Sequence, residues 1–298
     1  MANKNTLIPT VSGAVLAMAA SVTLLAGPAQ AEDKGSINLA YVEWSSEVAS
    51  TNVVRAVLEQ QGFDVNMTSL SAAAMWQAVA TDSADAMVAA WLPTTHEQYF
   101  KKVQDRVENL GANLEGTKLG LVVPKYVDDV DTIPDLKDHA DEFDGRIVGI
   151  DPGAGLMAKT ETAIDEYGLE PQISLQSGSG ATMTAVLSNA IKQKEPVVVT
   201  GWTPHWMFAR WDLKYLDDPK NVYGGSEEID TVVRKGLKQD MPQAYCILDN
   251  FHWSPDQMGE VMLMNQQKDS DPYENAKTWV SKHPDVVKQW TDNCSSGS

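Results

Sequence analysis

From Ser36 onward, short apolar runs alternate with stretches whose apolar residues recur at helical spacing, the pattern of an α/β fold. SINLAYVEW (Ser36 to Trp44) predicts a strand ending in a turn. Ser46 to Gln61 predicts a helix, with Val53, Val54, Val57 and Leu58 on one face and Gly62 beyond its end. FDVNMTSL is the next strand, Ala73 to Ala80 a helix, and AMVAAW (Ala86 to Trp91) a third strand. Thr95 and Gln98 have the spacing of a capping box, which predicts a helix there with His96 exposed in its first turn.

The same order returns about a hundred residues later. RIVGIDPGAG reads as strand then turn, LMAKTETAIDEYG as helix with a terminal Gly168, and PQISLQSGSG as strand and loop. MTAVLSNAIKQ is a helix and PVVVTGW a strand ending in Trp202. Ala74-Met75…Ala78-Val79 matches Thr182-Met183…Ala185-Val186 at the same place in each unit, and Trp91-Leu92-Pro93 matches Trp202-Thr203-Pro204. Two similar βαβαβ lobes are expected. Two extended runs, Lys118 to Val127 and Ile229 to Leu237, read as the crossings between them, a two-segment hinge. The expected boundaries are 32–122 for the first part of lobe I, 123–232 for lobe II, and 233–298 for the part that returns to lobe I. There Trp253, Met262, Met264 and Trp279 read as core.

Residues 1–31 have the three parts of a secretory signal: Lys4, an apolar run from Val11 to Leu25, and the A-x-A site Ala29-Gln30-Ala31. An exported, periplasmic protein cleaved after Ala31 is expected, a retained anchor helix being the alternative. Against 23 Lys and Arg stand 41 Asp and Glu, a net charge of −18 that disfavours nucleic acid and anionic lipid as partners. Two cysteines, Cys246 and Cys294, are too few for a disulfide framework or a zinc cluster. In an oxidising compartment they could pair and tie down the C-terminal segment, or remain free.

The carboxyl ends of the strands carry the candidate chemistry. Trp44 and Trp91 end strands of the first lobe; DPGAGL (Asp151 to Leu156), Trp202 and His205 follow strands of the second. Such strand ends face the cleft of an open α/β sheet. Indole faces attract a cation that has no hydrogen to donate, as in quaternary ammonium cages. The DPGAGL turn opens a helix whose first N–H groups favour an anion. Thr203 reads as a helix cap with Pro204 in the first position, which puts His205 in the first turn as a further donor. A cage and an anion cradle together describe a small zwitterion, a quaternary ammonium carrying a carboxylate. Each Trp also has a plain reading as core, and a lone GxG can be only a turn. Trp76, Trp206 and Trp211 read as packing, and His139, His252 and His283 lack ligand-like spacing. No G-x-S-x-G elbow is present, and HEQYF at His96 does not match H-E-x-x-H. No catalytic residue, metal or cofactor is expected.

YVEWSSEVAS, MWQAVA, MVAAWLPTTHEQYF, GIDPGAGLM, SGSGATM and GWTPHWMFARWDLKYLDDP resemble the glycine betaine-binding proteins of ABC importers over most of the chain. The resemblance implies a two-lobed, Venus-flytrap fold of the type II periplasmic-binding-protein class. It implies a Trp prism at Trp44, Trp91 and Trp202, with the carboxylate held by His205 and by the amides of Gly155 and Leu156. It further implies a monomeric receptor that hands glycine betaine to a membrane permease and its ATPase subunit. Choline, carnitine, proline betaine or ectoine are the alternative ligands, and a periplasmic hydrolytic enzyme is the rival class.

Overall fold

A computed structural model describes residues 1–2 and 34–294, and the chain from Asp33 on forms one compact unit. The leader expected over residues 1–31 therefore lies, from residue 3 on, outside the described residues. The first lobe opens β1 (Ser36–Tyr41), α1 (Ser45–Gln60), β2 (Asp64–Ser69), α2 (Ala72–Ala80), β3 (Ala86–Leu92) and α3 (Glu97–Val103). β1 pairs in parallel with β2 and with β3. Helix α1 buries Val53, Val54, Val57 and Leu58 against this sheet, the stripe that its spacing predicts. All seven residues of β3 are buried, as expected of a strand covered on both faces.

The 18-residue β4 (Val107–Pro124) then runs through both lobes. In the second lobe β5 (Arg146–Val148), α4 (Gly155–Glu166), β6 (Ser174–Gln176), α5 (Gly180–Gln193) and β7 (Val199–Thr203) repeat the first order. The strand sequence β2-β1-β3 of lobe I matches β6-β5-β7 of lobe II, so the repeat seen in the sequence is a repeat of topology. After α6 (Met207–Arg210) and β8 (Leu213–Tyr215), β9 (Glu227–Arg234) returns to lobe I. It lies antiparallel between β3 and the first half of β4.

These two long strands form the waist. β4 pairs with β9 as far as Thr117 and with β7 from Lys118, so one continuous strand changes sheets at that step. The second crossing lies earlier than Ile229 to Leu237, because Glu227–Arg234 is already a strand of lobe I.

The chain ends in α7 (Leu237–Asp240), α8 (Pro242–Asn250), α9 (Pro255–Asn265), α10 (Pro272–Lys282) and α11 (Pro284–Thr291). α9 and α10 pack along α1, and Trp253, Met262 and Trp279 are buried there, while Met264 is only half-buried. Cys246 and Cys294 form a disulfide across 48 residues, fastening α8 to the segment after α11. Among the described residues, no helix is long and apolar enough to cross a membrane.

Candidate functional site

Three indoles reach one small cavity from three strand ends. Trp44 is the N-cap of α1, Trp91 lies near the end of β3, and Trp202 near the end of β7. All three line a cavity with Thr95, His96, Leu119, Ile150, Ala154, Gly155 and Leu156. Each ring is fixed by its N–H. Trp44 Nε1 donates to Asp151 Oδ2 at 2.9 Å, Trp91 Nε1 to Glu47 Oε1 at 2.7 Å, and Trp202 Nε1 to Ser46 Oγ at 3.3 Å. The first and last of these cross between the lobes. Tyr99 also crosses, its hydroxyl donating to the Gly153 carbonyl at 2.7 Å. The lobes are closed on each other.

Helix α4 begins at Gly155 with Ala154 as its N-cap, so the amides of Gly155 and Leu156 open the helix where no earlier turn supplies carbonyls. Both residues line the cavity, and the positive end of the helix points the same way. Glycine at 155 is a requirement of closure. A Cβ there would stand 2.3 Å from the Thr95 carbonyl oxygen of the facing lobe.

The histidines divide differently from the sequence reading. His96 is not exposed in a first turn; its accessible surface is 0 %, and it lines the cavity. Nor does Thr95 cap a helix. Its amide and hydroxyl, with those of Thr94, all donate to the Glu227 carboxylate on β9. That clamp draws the loop after Trp91 inward. The Trp91 amide donates to His96 Nδ1 at 3.1 Å, which leaves the ring proton of a neutral imidazole on Nε2. Burial pushes His96 down to about 3, so the ring stays neutral at physiological pH. Its Nε2 is buried, and no acceptor among the described residues meets it. A buried donor with no partner among the described residues, beside the first amides of a helix, is a donor set that an anion can satisfy.

His205 falls elsewhere. β7 continues through Thr203, whose hydroxyl pairs with that of Tyr215, so Thr203 caps nothing and the helix starts only at Met207. His205 precedes that helix and accepts the Met207 amide on Nδ1 at 3.1 Å. Its ring meets Trp202 edge-on, with centroids 4.4 Å apart. It lines an adjoining cleft with Trp202, Trp206 and Arg210, and not the cavity of the three indoles. The structure thus gathers Trp44, Trp91, Trp202, Gly155 and Leu156, and brings His96 to them in place of His205. The sequence did hold a signal for this: each lobe has a His shortly after its Trp-x-Pro, so two candidates existed.

The chain and its fold have counterparts among known proteins. Residues 35–282 match the OpuAC family, the substrate binding domain of the ABC-type glycine betaine transport system. The chain belongs to that family. Over 157 residues it is 54% identical to the glycine betaine/carnitine transport binding protein GbuC of Listeria monocytogenes, a match covering 52% of each protein. The chain thus spans about half the length of that curated relative. The lactococcal OpuAC in its closed-liganded conformation with glycine betaine is 45% identical, with a TM-score of 0.82, covering 87% of this chain and all of that one. The glycine/betaine/L-proline-binding protein ProX of a glycine betaine, L-proline ABC transporter from Borrelia burgdorferi is 39% identical with a TM-score of 0.84 over 87% of this chain and 97% of its own. The α/β, two-lobed fold is that of these binding proteins.

Proposed function

We propose that this chain is the periplasmic receptor of an ABC importer, binding glycine betaine and presenting it to a permease powered by an ATPase subunit. One observation carries the reading: three indoles from both lobes and a cradle of anion donors line a single cavity. Trp44, Trp91 and Trp202 are the walls for the trimethylammonium group, held by cation–π attraction and apolar contact. Gly155 N–H, Leu156 N–H and His96 Nε2–H take the carboxylate, while His205 braces the outer edge of Trp202. The protein acts as a monomeric binding module, exported by its leader and cleaved after Ala31, and not as an enzyme.

Because the walls come from both lobes, the ligand binds the closed state better than the open one and shifts the hinge toward it. Affinity for the ligand and closure are then one equilibrium. Titrating the purified protein with glycine betaine, proline betaine, carnitine, choline and ectoine while following tryptophan fluorescence tests the assignment. Saturable quenching or a spectral shift with glycine betaine first is expected. A response to choline alone would transfer the site to the choline class, and no response to any of them would overturn the reading.

A further inference from the structure

Directly behind the cage sits a carboxyl group that the binding scheme above does not use. Glu47, in the first turn of α1, has no accessible surface. Its Oε1 accepts the Trp91 indole N–H at 2.7 Å and the Ser46 hydroxyl at 3.2 Å. The same Ser46 oxygen accepts the Trp202 indole N–H at 3.3 Å. One carboxyl thus reaches two cage walls, one in each lobe. Its other oxygen, Oε2, is buried with no partner among the described residues.

We propose that Glu47 is the positioning residue of the cage, fixing Trp91 directly and Trp202 through Ser46, and that binding of a cation between those walls is coupled to its ionisation. The proposal rests on the quaternary ammonium reading of the cavity. Its physics has two parts. An indole that donates to a carboxylate gains electron density, and its face then attracts a cation more strongly. The cation in turn compensates a buried negative charge that the protein alone leaves half satisfied.

Burial raises the Glu47 carboxyl to about 7, against the pull of its hydrogen bonds from Trp91 and Ser46. Charged neighbours do not set it. On α1 itself Arg55 and Glu59 lie at least two turns further along and pair with each other at 2.8 Å. Glu43, before the helix, takes the Tyr41 hydroxyl. On the packed α10, Glu274 is paired with Lys277, and from the facing lobe Asp151 holds Trp44. The nearby rings of His96 and His205 are neutral at this pH, both held at about 3 by burial. The cation lowers the Glu47 value, so binding releases a proton near neutrality, and by linkage acid weakens binding.

Calorimetric titration of glycine betaine into the full chain at pH 8.0, 7.0 and 5.5 tests this, with the pH 7.0 run in two buffers of different ionisation enthalpy. Expected are at least a tenfold loss of affinity from pH 8.0 to 5.5, and net proton release at pH 7.0. Glu47→Gln should bind more weakly at pH 8.0 and show a flat profile, and Glu47→Asp should restore part of the pH dependence. A flat profile in the parent with no proton released overturns the role of Glu47 while leaving betaine binding intact. No binding at pH 8.0 overturns the ligand assignment, and the proposal with it. The proton count on the parent needs no variant, so it decides even if a substitution fails to fold.

Discussion

At His96 a single backbone amide decides the chemistry of the ring. Because Trp91 N–H donates to Nδ1, the proton sits on Nε2, and burial keeps the imidazole neutral, a donor rather than a cation. A neutral donor can bond a carboxylate without repelling the trimethylammonium a few ångströms away. His96→Ala should therefore cost glycine betaine roughly 1.5–3 kcal/mol, the range for hydrogen bonds to a charged group. Choline, which brings no carboxylate, should lose much less, so the gap between the two ligands should narrow. His205→Ala should leave that gap in place, since its ring lies outside the cavity. Paired titrations of both variants with both ligands check this, and a gap that closes only in His205→Ala would restore the first assignment. For the walls, replacing Trp44, Trp91 or Trp202 by Ala should cost ~1–3 kcal/mol each from lost cation–π and apolar contact. Unchanged calorimetric affinity in all three variants would refute the cage.

Among the elements, α4 and the loop after β3 meet at the closest approach of the lobes. Gly155 has no room for a methyl group against the Thr95 carbonyl, and that carbonyl is held by the Glu227 clamp rather than by a movable side chain. Gly155→Ala should thus leave each lobe folded yet oppose closure, weakening glycine betaine at least tenfold. Small-angle scattering at saturating ligand should show a larger radius of gyration than in the parent; an equally compact profile would contradict the closure argument. This contact also marks where the sequence stops being legible. The βαβαβ repeat could be read because apolar periodicity is local, and the strand-end positions of Trp44, Trp91 and Trp202 followed from it. The inward turn of His96 could not, because it depends on Glu227, 132 residues away from Thr95, taking the hydroxyl that the capping pattern had assigned to a helix. The early start expected for α6 failed for a similar reason: pairing with β4 keeps Thr203 in a strand.

For the molecule as a whole, stability combines one covalent tie and two buried imidazoles. The Cys246–Cys294 bond closes a loop of 48 residues, and on the chain-entropy account reduction should cost roughly 4 kcal/mol. A thermal melt with and without reductant measures it, and an unchanged midpoint would refute that estimate. His96 and His205 both have values lowered by burial to about 3 from 6.5. Each therefore contributes stability that is fully present above pH 6.5 and is lost as pH falls toward 3, at up to about 1.4 kcal/mol per pH unit. Glu47, raised to about 7 from 4.5, has the opposite sign: its contribution is present below 4.5 and is lost as pH rises through 7. Asp230, raised by burial to about 6 from 3.8, acts in the same direction as Glu47, so between pH 4.5 and 6 two acids oppose two imidazoles and stability is nearly level. Replacing His205 by Gln removes one imidazole, so melts at pH 6.5 and 5.0 should show the variant gaining stability on acidification where the parent does not.

The central claim, however, concerns a site with two unlike ends. Choline can fill the cage but leaves the Gly155 and Leu156 amides and His96 Nε2–H without an anion, a loss of several charged hydrogen bonds partly relieved by water. A competition titration of glycine betaine against choline on the unmodified protein measures this directly. Choline should bind at least ~100-fold more weakly, and equal binding of the two would contradict the anion cradle.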